Sequence, residues 1–155
     1  MAAIYKLLDN IDEHSYTLIA IHSTLEDYRL AYFLNKHLNI KLKREEKNIV
    51  IKNDFSFSLY EWEDVQQHIT YNLIKNIAVK EENILSSSGL FQENVSFVKG
   101  YMVPEKKKVD FFLKVEEITH QQSQYIINIV SKISNVITTY SIDPNQLKSK
   151  YNLIF

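Results

Sequence analysis

Two similar patterns constrain this fold more than any other feature of the sequence. Each consists of a short apolar run, an amphipathic stretch and a second extended run, and they span residues 16–42 and 109–142. In both, the outer runs have the β-branched and aromatic content of strands. Between them, apolar residues recur at the three- and four-residue spacing of a helix. The sequence therefore predicts two strand–helix–strand units.

The first unit begins with a predicted strand over residues 16–22. Ser23 and Glu26 follow at the spacing of a capping box, which predicts that a helix opens here and runs to about Leu38. An extended piece, residues 40–42, completes the unit. The apolar positions predicted to form the helix's inner face are Leu25, Tyr28, Ala31, Tyr32, Leu34 and Leu38.

The second unit begins with the clearest strand of the chain, residues 109–116. Its alternation places Val109, Phe111, Leu113 and Val115 on one face, and Asp110, Phe112, Lys114 and Glu116 on the other. A helix is predicted to open at Thr119 or His120, followed by a strand over residues 136–142 and a short helix capped by Asp143. The positions predicted for the inner face of the long helix are Tyr125, Ile126, Ile129, Val130 and Ile133.

The middle of the chain is predicted to be rich in β-structure. Over residues 48–62, alternation separates Phe55, Phe57 and Leu59 from Tyr60 and Trp62. Residues 64–78 fit either a helix or a strand, and their Thr and Asn content favours a strand paired with the preceding one. Residues 81–89 are interpreted as a loop and residues 95–103 as extended.

These elements predict a single α+β domain over residues 1–155. The length suits one domain, and a hydrophobic fraction of 45% is sufficient for a packed core. Each unit can place its helix on one face of a shared sheet. We expect a largely antiparallel sheet with two strand–helix–strand units, ferredoxin-like or related, around a β-rich middle.

Composition removes several classes of function. The formal net charge is −1 and there is no cysteine, so nucleic acid is disfavoured as a partner and thiolate chemistry is excluded. The first residues lack the pattern of a signal peptide, and the apolar runs are shorter than a membrane span. We therefore expect a cytoplasmic protein that does not enter the membrane.

Residues 103–111, Val-Pro-Glu-Lys-Lys-Lys-Val-Asp-Phe, resemble the signature of the IPExxxVDY family of bacterial proteins. Four positions match the signature: Pro104, Glu105, Val109 and Asp110. Two positions are mild departures: Val103 stands for Ile and Phe111 for Tyr. Further similarity lies in residues 26–32, 57–61, 89–91 and 147–155. The resemblance implies a bacterial source, chiefly Bacteroidota, and brings no established activity.

The candidate chemical groups have simple structural interpretations. Asp110 beside Phe112 could act as a general base. We favour a structural role, in which Asp110 pairs with a lysine or with Arg29, or accepts hydrogen bonds from backbone N–H groups of the Pro104 turn. Glu105 is interpreted as an acceptor that fixes its turn. The five histidines lack the spacing of a metal site. The acidic group Glu61, Glu63 and Asp64 could bind a divalent cation, but we favour its interpretation as a solvated hairpin turn. We predict no catalytic residue, no metal and no cofactor.

The remaining candidates are surfaces. Lysines cluster at residues 41–47 and 106–108, the second near Tyr101, and are interpreted mainly as solvated surface. The final Leu-Ile-Phe sequence either packs on the protein's own body or docks into a partner. The residues predicted to bind a partner are Lys148, Lys150, Leu153, Ile154 and Phe155.

The sequence thus favours a non-enzymatic module that binds another protein, or a second copy of itself, through a sheet edge or the C-terminal tail. Two alternatives stay open. One is a regulatory domain that senses a small molecule at a dimer interface, and the other is an RNA-associated factor that uses the lysine clusters.

Overall fold

A computed structural model describes residues 15–84 and 94–155. These residues form two α-helices, α1 (Asp27–Leu38) and α2 (His120–Ser131). Their ten strands are β1 (Tyr16–Ser23), β2 (Lys43–Arg44), β3 (Ile49–Ile51), β4 (Phe55–Phe57), β5 (Leu59–Asp64), β6 (Ile69–Lys75), β7 (Ile77–Ile84), β8 (Asn94–Tyr101), β9 (Phe111–Glu116) and β10 (Val136–Ile142). Short 3₁₀ helices span Lys52–Asp54, Pro104–Lys106, Pro144–Gln146 and Lys150–Leu153. The predicted α+β class is confirmed.

Six strands form one sheet in the order β10-β1-β9-β6-β5-β2, and each neighbouring pair is antiparallel. Because β1 lies between β9 and β10, these two strands run parallel to each other, and α2 makes the crossover between them. The largely antiparallel sheet is confirmed. The other strands form two ribbons, β3–β4 and β7–β8.

The sheet has a buried core on each face, and β1 contributes to both. Ile19 and Ile21 point to the side that α1 and α2 cover. Leu18 and Ala20 point to the opposite side, which the two ribbons and residues 147–153 cover. A strand that is paired along both edges and packed on both faces favours consecutive apolar residues, which explains the uninterrupted run over residues 18–21.

The predictions for the middle of the chain are largely confirmed. Phe57 and Leu59 lie in the core away from the helices, whereas Tyr60 and Trp62 lie on the helix side. The ambiguous stretch is strand: β6 pairs with β5, and residues 65–68 form the turn between them. The loop predicted for residues 81–89 is wrong for residues 81–84, which belong to β7, and residues 85–89 lie outside the described part.

The predicted cap of the first helix is wrong. Ser23 belongs to β1, where its Oγ accepts a hydrogen bond from the Leu25 N–H (3.1 Å), and α1 begins at Asp27 without a side-chain cap. A capping box occurs instead at α2, between Thr119 and Gln122. Ser23 and Glu26 therefore have the spacing of a capping box, but Ser23 is not the residue that precedes the first turn of the helix.

The predicted inner faces of the helices need correction at three tyrosines. The buried stripe of α1 contains Leu30, Ala31 and Leu34, while Tyr28 and Tyr32 lie on its exposed side. Tyr125 of α2 is also exposed. Leu30 and Leu34 are four residues apart, and so are Tyr28 and Tyr32. Spacing alone therefore could not show which pair packs on the sheet. Neither helix has the length and apolarity to cross a membrane.

Candidate functional site

The motif at residues 103–111 surrounds Asn76, which is fully buried between β6 and β7. The Asn76 Nδ2 group donates to the carbonyl oxygens of Lys106 (2.8 Å) and Val109 (2.9 Å), and its Oδ1 accepts from the Val103 N–H (2.9 Å). Its backbone N–H donates to the Asp110 carbonyl oxygen (2.9 Å). One side chain thus satisfies three backbone groups of the motif, which would otherwise be costly to bury.

The two motif carboxylates also bind backbone groups. Asp110 Oδ2 accepts a hydrogen bond from the Ser23 N–H at 2.9 Å, which joins the end of β1 to the start of β9. Glu105 Oε1 accepts from the Ser149 N–H at 3.2 Å and from the Ser149 hydroxyl. Both partners lie far away in the sequence. The structural interpretation of Asp110 is the one that its contacts match, although its donor comes from β1 and not from the Pro104 turn.

The hydrophobic positions of the motif lie in different cores. Val103 and Val109 pack on the face away from the helices, and Phe111 packs on the helix side. The predicted placement of Val109 with Phe111 on one face is therefore wrong, because β9 begins at Phe111 and Val109 lies in the preceding turn. Pro104 is exposed and occupies the first position of its 3₁₀ helix.

The C-terminal tail, residues 147–155, packs on the protein's own sheet. Leu153 is completely buried, and the side-chain amide of Asn152 donates to the Met102 carbonyl oxygen at 2.9 Å. Ile154 and Phe155 remain about half exposed. Of the residues predicted to bind a partner, Leu153 therefore has no free surface. Lys148 is exposed, and Lys150 lies over the ring of Tyr151.

Lys114 anchors this tail from the middle of β9. The residue is only 4% exposed, and its Nζ donates to the Leu153 carbonyl oxygen at 2.8 Å. The Glu116 carboxylate lies 3.4 Å away, and the rings of Tyr16 and Phe155 lie within 5 Å of the ammonium group. Burial raises the pKa of Tyr16. A buried ammonium group requires such partners, and the tail supplies two of them.

The lysine clusters are exposed, as expected for solvated surface. In the first, Arg44 is held by its own neighbourhood, because its guanidinium donates to the Glu45 carbonyl oxygen and to the Asn48 side chain. In the second, Lys107 lies over the Tyr101 ring, with Nζ 5.5 Å from the ring centroid. The stacking surface suggested for nucleic acid is thus contacted by the protein's own lysine.

The acidic group is divided among separate contacts. Glu61 accepts from the side-chain amide of Asn72 at 2.7 Å, and Asp64 Oδ1 accepts from the N–H groups of Gln66 and Gln67 in the hairpin turn. Among the described residues, no group of three or more His, Asp or Glu side chains could hold a metal ion.

The outer edge of β10 was not identified from the sequence. β10 pairs with β1 along one side, and no described strand pairs with the other. Ile137 is 72% exposed there, and Tyr140 is tied to β1 by a 2.9 Å hydrogen bond with His22. Thr139 is only 9% exposed, yet its hydroxyl is the one buried side-chain polar atom in the described residues without a hydrogen-bond partner.

A cleft of about 730 Å³ opens at another part of the molecule. It lies between the end of α1, the β5–β6 hairpin and the first half of α2. Trp62 and Tyr71 face each other across the hairpin with ring centroids 5.6 Å apart and an interplanar angle of 25°. Burial, followed by the nearby Asp64 carboxylate, raises the pKa of Tyr71.

Comparison with protein-family models, with curated proteins and with solved structures found no match to this chain. Function must therefore be inferred from the chain's own geometry, and the β10 edge and the cleft are two features of the described residues to which we have assigned no structural role.

Proposed function

We propose that this chain is a non-enzymatic interaction module of the bacterial cytoplasm that self-associates through the outer edge of β10. A second copy would add its own β10 to this edge in antiparallel orientation. The open, uncharged edge is the observation that supports the proposal most directly. Strand addition is a common mode of recognition, since backbone hydrogen bonds give affinity without a preformed pocket.

The composition of β10 suits it to pairing. Its seven residues, Val-Ile-Thr-Thr-Tyr-Ser-Ile, include no charged residue, no proline and no glycine. Proteins usually protect a free edge with charge, proline, a bulge or a very short strand, because exposed backbone groups attract another strand. β10 has a register irregularity only at its start, opposite His22 and Ser23. The rest of its outer edge lacks these protections.

Thr139 gives the pairing a specific register. It is the central residue of β10, so an antiparallel pair related by a two-fold axis can place Thr139 of each copy opposite the other. Threonines in directly opposed positions can hydrogen-bond through their hydroxyls. The pairing would give a partner to the one buried hydroxyl that lacks it, and an unpaired buried hydroxyl costs about 1–3 kcal/mol.

The sheet order supports a finer description of the fold. The four strands β10-β1-β9-β6 alternate with α1 and α2 along the chain, and we propose that they form a ferredoxin-like core to which β5 and β2 add an extension. We also propose membership of the IPExxxVDY family. The contacts of Asn76, Glu105 and Asp110 support a structural role for its signature.

The contacts of the tail favour the edge over the tail as the binding surface. Leu153 is buried, and its carbonyl oxygen accepts the hydrogen bond of Lys114. Releasing the tail to a partner would leave that ammonium group without this acceptor, which is costly in a buried site. Binding through β10 requires no such loss.

Sedimentation velocity of the full chain over a wide concentration range tests the proposal. We expect the monomer mass of 18.3 kDa to double as concentration rises. Ile137→Lys adds a charge at the 72% exposed edge position and should prevent dimer formation without unfolding the protein. Val50→Lys makes the same kind of change at a 62% exposed position on β3 and should still dimerise.

Two results would contradict the proposal. One is a wild-type chain that stays monomeric at every concentration. The other is a dimer that forms equally well in Ile137→Lys and in Val50→Lys, since its interface would then lie elsewhere. Circular dichroism of both variants would show whether each retains the native fold.

A further inference from the structure

The cleft beside the β5–β6 hairpin has a flat aromatic wall. Trp62 and Tyr71 are directly opposite each other in the β5–β6 register, and their rings are stacked. Both side chains are only partly buried and both line the cleft. The two rings are nearly parallel, and the outer face of such a stacked pair is a suitable surface for stacking another ring, as at sites that bind nucleobases.

The two rings also bring hydrogen-bond donors that the protein does not use. Within the described residues, neither the Trp62 indole N–H nor the Tyr71 hydroxyl makes a hydrogen bond with protein. Neither atom is among the buried unpaired polar atoms, whose sole member is the Thr139 hydroxyl, so both are accessible. A phenol is protonated at neutral pH, and burial raises the pKa of Tyr71 further, so its hydroxyl is a donor. A ligand with acceptor atoms along its edge can therefore bind both donors.

The charges at the cleft select against anions. Glu63 and Asp64 line it together with a single cation, Lys41. Asp64 uses Oδ1 for the hairpin turn, and Oδ2 makes no hydrogen bond among the described residues. The other polar residues that line the cleft include the neutral amides Asn39 and Gln67. A phosphate or carboxylate group on a ligand would face a net negative rim.

We propose that this cleft is a binding site for a flat heteroaromatic compound that carries acceptor atoms and no negative charge. The ring stacks on Trp62 and Tyr71, and its acceptor atoms bind the indole N–H and the phenol. The volume, about 730 Å³, lies within the usual range for small-molecule sites. The site is separate from the β10 edge, and its test does not depend on self-association.

Trp62 provides its own reporter, because it is the single tryptophan of the chain. Its indole N–H gives one assignable signal in a proton–nitrogen correlation spectrum. Adenosine, caffeine, quinoline and benzimidazole serve as neutral probes, and adenosine monophosphate serves as the anionic counterpart of adenosine. We expect saturable shifts of the Trp62 signal by the neutral probes, with Kd on the order of 1 mM or lower for ligands of this size.

Three variants separate the contributions of the site. Tyr71→Phe retains the ring and removes the donor, so binding of adenosine should weaken roughly 3- to 10-fold. Asp64→Asn retains an acceptor for the turn and removes the charge, so the difference between adenosine and its monophosphate should become smaller. Tyr28→Phe, at an exposed position of α1 that does not line the cleft, should bind as the wild type does.

Several outcomes would overturn the assignment. The absence of a saturable shift with all four neutral probes would reject the ligand class. Binding of the monophosphate as tight as that of adenosine would reject the charge selection. Unchanged binding in Tyr71→Phe would show that the phenol does not contribute. Native spectra of the variants would exclude misfolding as the cause of any loss.

Discussion

The two outer strands of the sheet are built in opposite ways. β2 is two residues long and consists of Lys43 and Arg44, whereas β10 is seven residues long and carries no charge. The side chain of Arg44 reaches the Glu45 carbonyl oxygen and Asn48, so it also occupies the space beside its strand. Length and charge are two of the means by which proteins protect an edge. One edge of this sheet has both means, and the other has neither.

This contrast supports the proposal that β10 pairs with another strand. A sheet with two free edges risks aggregation at each of them, and the chain has protected only one. Thr139 adds to the contrast. Its buried hydroxyl lacks a hydrogen-bond partner within the described residues, whereas Arg44 on β2 donates hydrogen bonds to Glu45 and Asn48. The following substitutions and conditions either make the two edges alike or separate their contributions to self-association.

The largest expected effect comes from giving β10 the charges of β2. The double variant Ile137→Lys and Thr138→Arg places two cations on each copy of the uncharged edge, and in the register centred on Thr139 the two copies of position 138 lie diagonally across from each other. We expect self-association to weaken by about 100-fold or more, equivalent to about 2.7 kcal/mol. Sedimentation velocity measures this loss. Wild-type affinity in the double variant would show that the edges do not differ in the way proposed.

A smaller effect is expected for Thr139→Val, which retains the shape and removes the hydroxyl. The dimer should weaken roughly 5- to 10-fold because the threonine pair loses its hydrogen bond. The monomer should unfold at an equal or higher denaturant concentration, since its unpaired buried hydroxyl is gone. Thr138→Val, at the exposed neighbouring position, is the matched control and should change neither quantity appreciably.

Salt distinguishes the two edges further. Pairing through uncharged β10 should change its affinity by less than about 3-fold between roughly 0.05 M and 0.5 M sodium chloride, because no surface charges are screened. Association through the lysines and arginine around β2 would depend steeply on salt. Equilibrium sedimentation at the two salt concentrations measures the difference, and a steep dependence would locate the contact away from β10.

The smallest effect is expected when β2 loses its charges. In Lys43→Thr with Arg44→Thr, the strand remains two residues long, so no new self-association should appear at this edge. Loss of the Arg44 contacts should lower the free energy of unfolding by about 0.5–1 kcal/mol, measured by denaturant titration. New oligomers in this variant, observed by sedimentation, would mean that charge alone had protected the edge.

Local features were predictable wherever one physical signal dominated. The apolar run of residues 16–22 predicted β1, and the pattern of residues 109–116 predicted β9, which begins two residues later than expected and is buried on both faces. Tyr28 and Tyr32 were misplaced because two apolar stripes of α1 compete for the sheet. The packing of α1 is selected by the volume available beneath it, which the sequence of a helix does not contain.

The candidate surfaces were less predictable. β10 was recognised as a strand, but its position at an edge depends on β1 pairing with β9 on its other side. The cleft combines residues from α1, the hairpin and α2, which are distant in the sequence. Trp62 and Tyr71 each had a strand signal, and only their register places the two rings in contact.

The sequence by itself predicted most of the segments that form strands and helices, including the apolar strand β1, because hydrophobic periodicity is a local property. The tertiary structure decided what the polar residues do. Asn76 satisfies the motif across about 30 positions, Asp110 binds Ser23 across 87, and the buried Lys114 donates to the Leu153 carbonyl oxygen across 39. Buried polar groups require partners, and long-range packing alone supplies them.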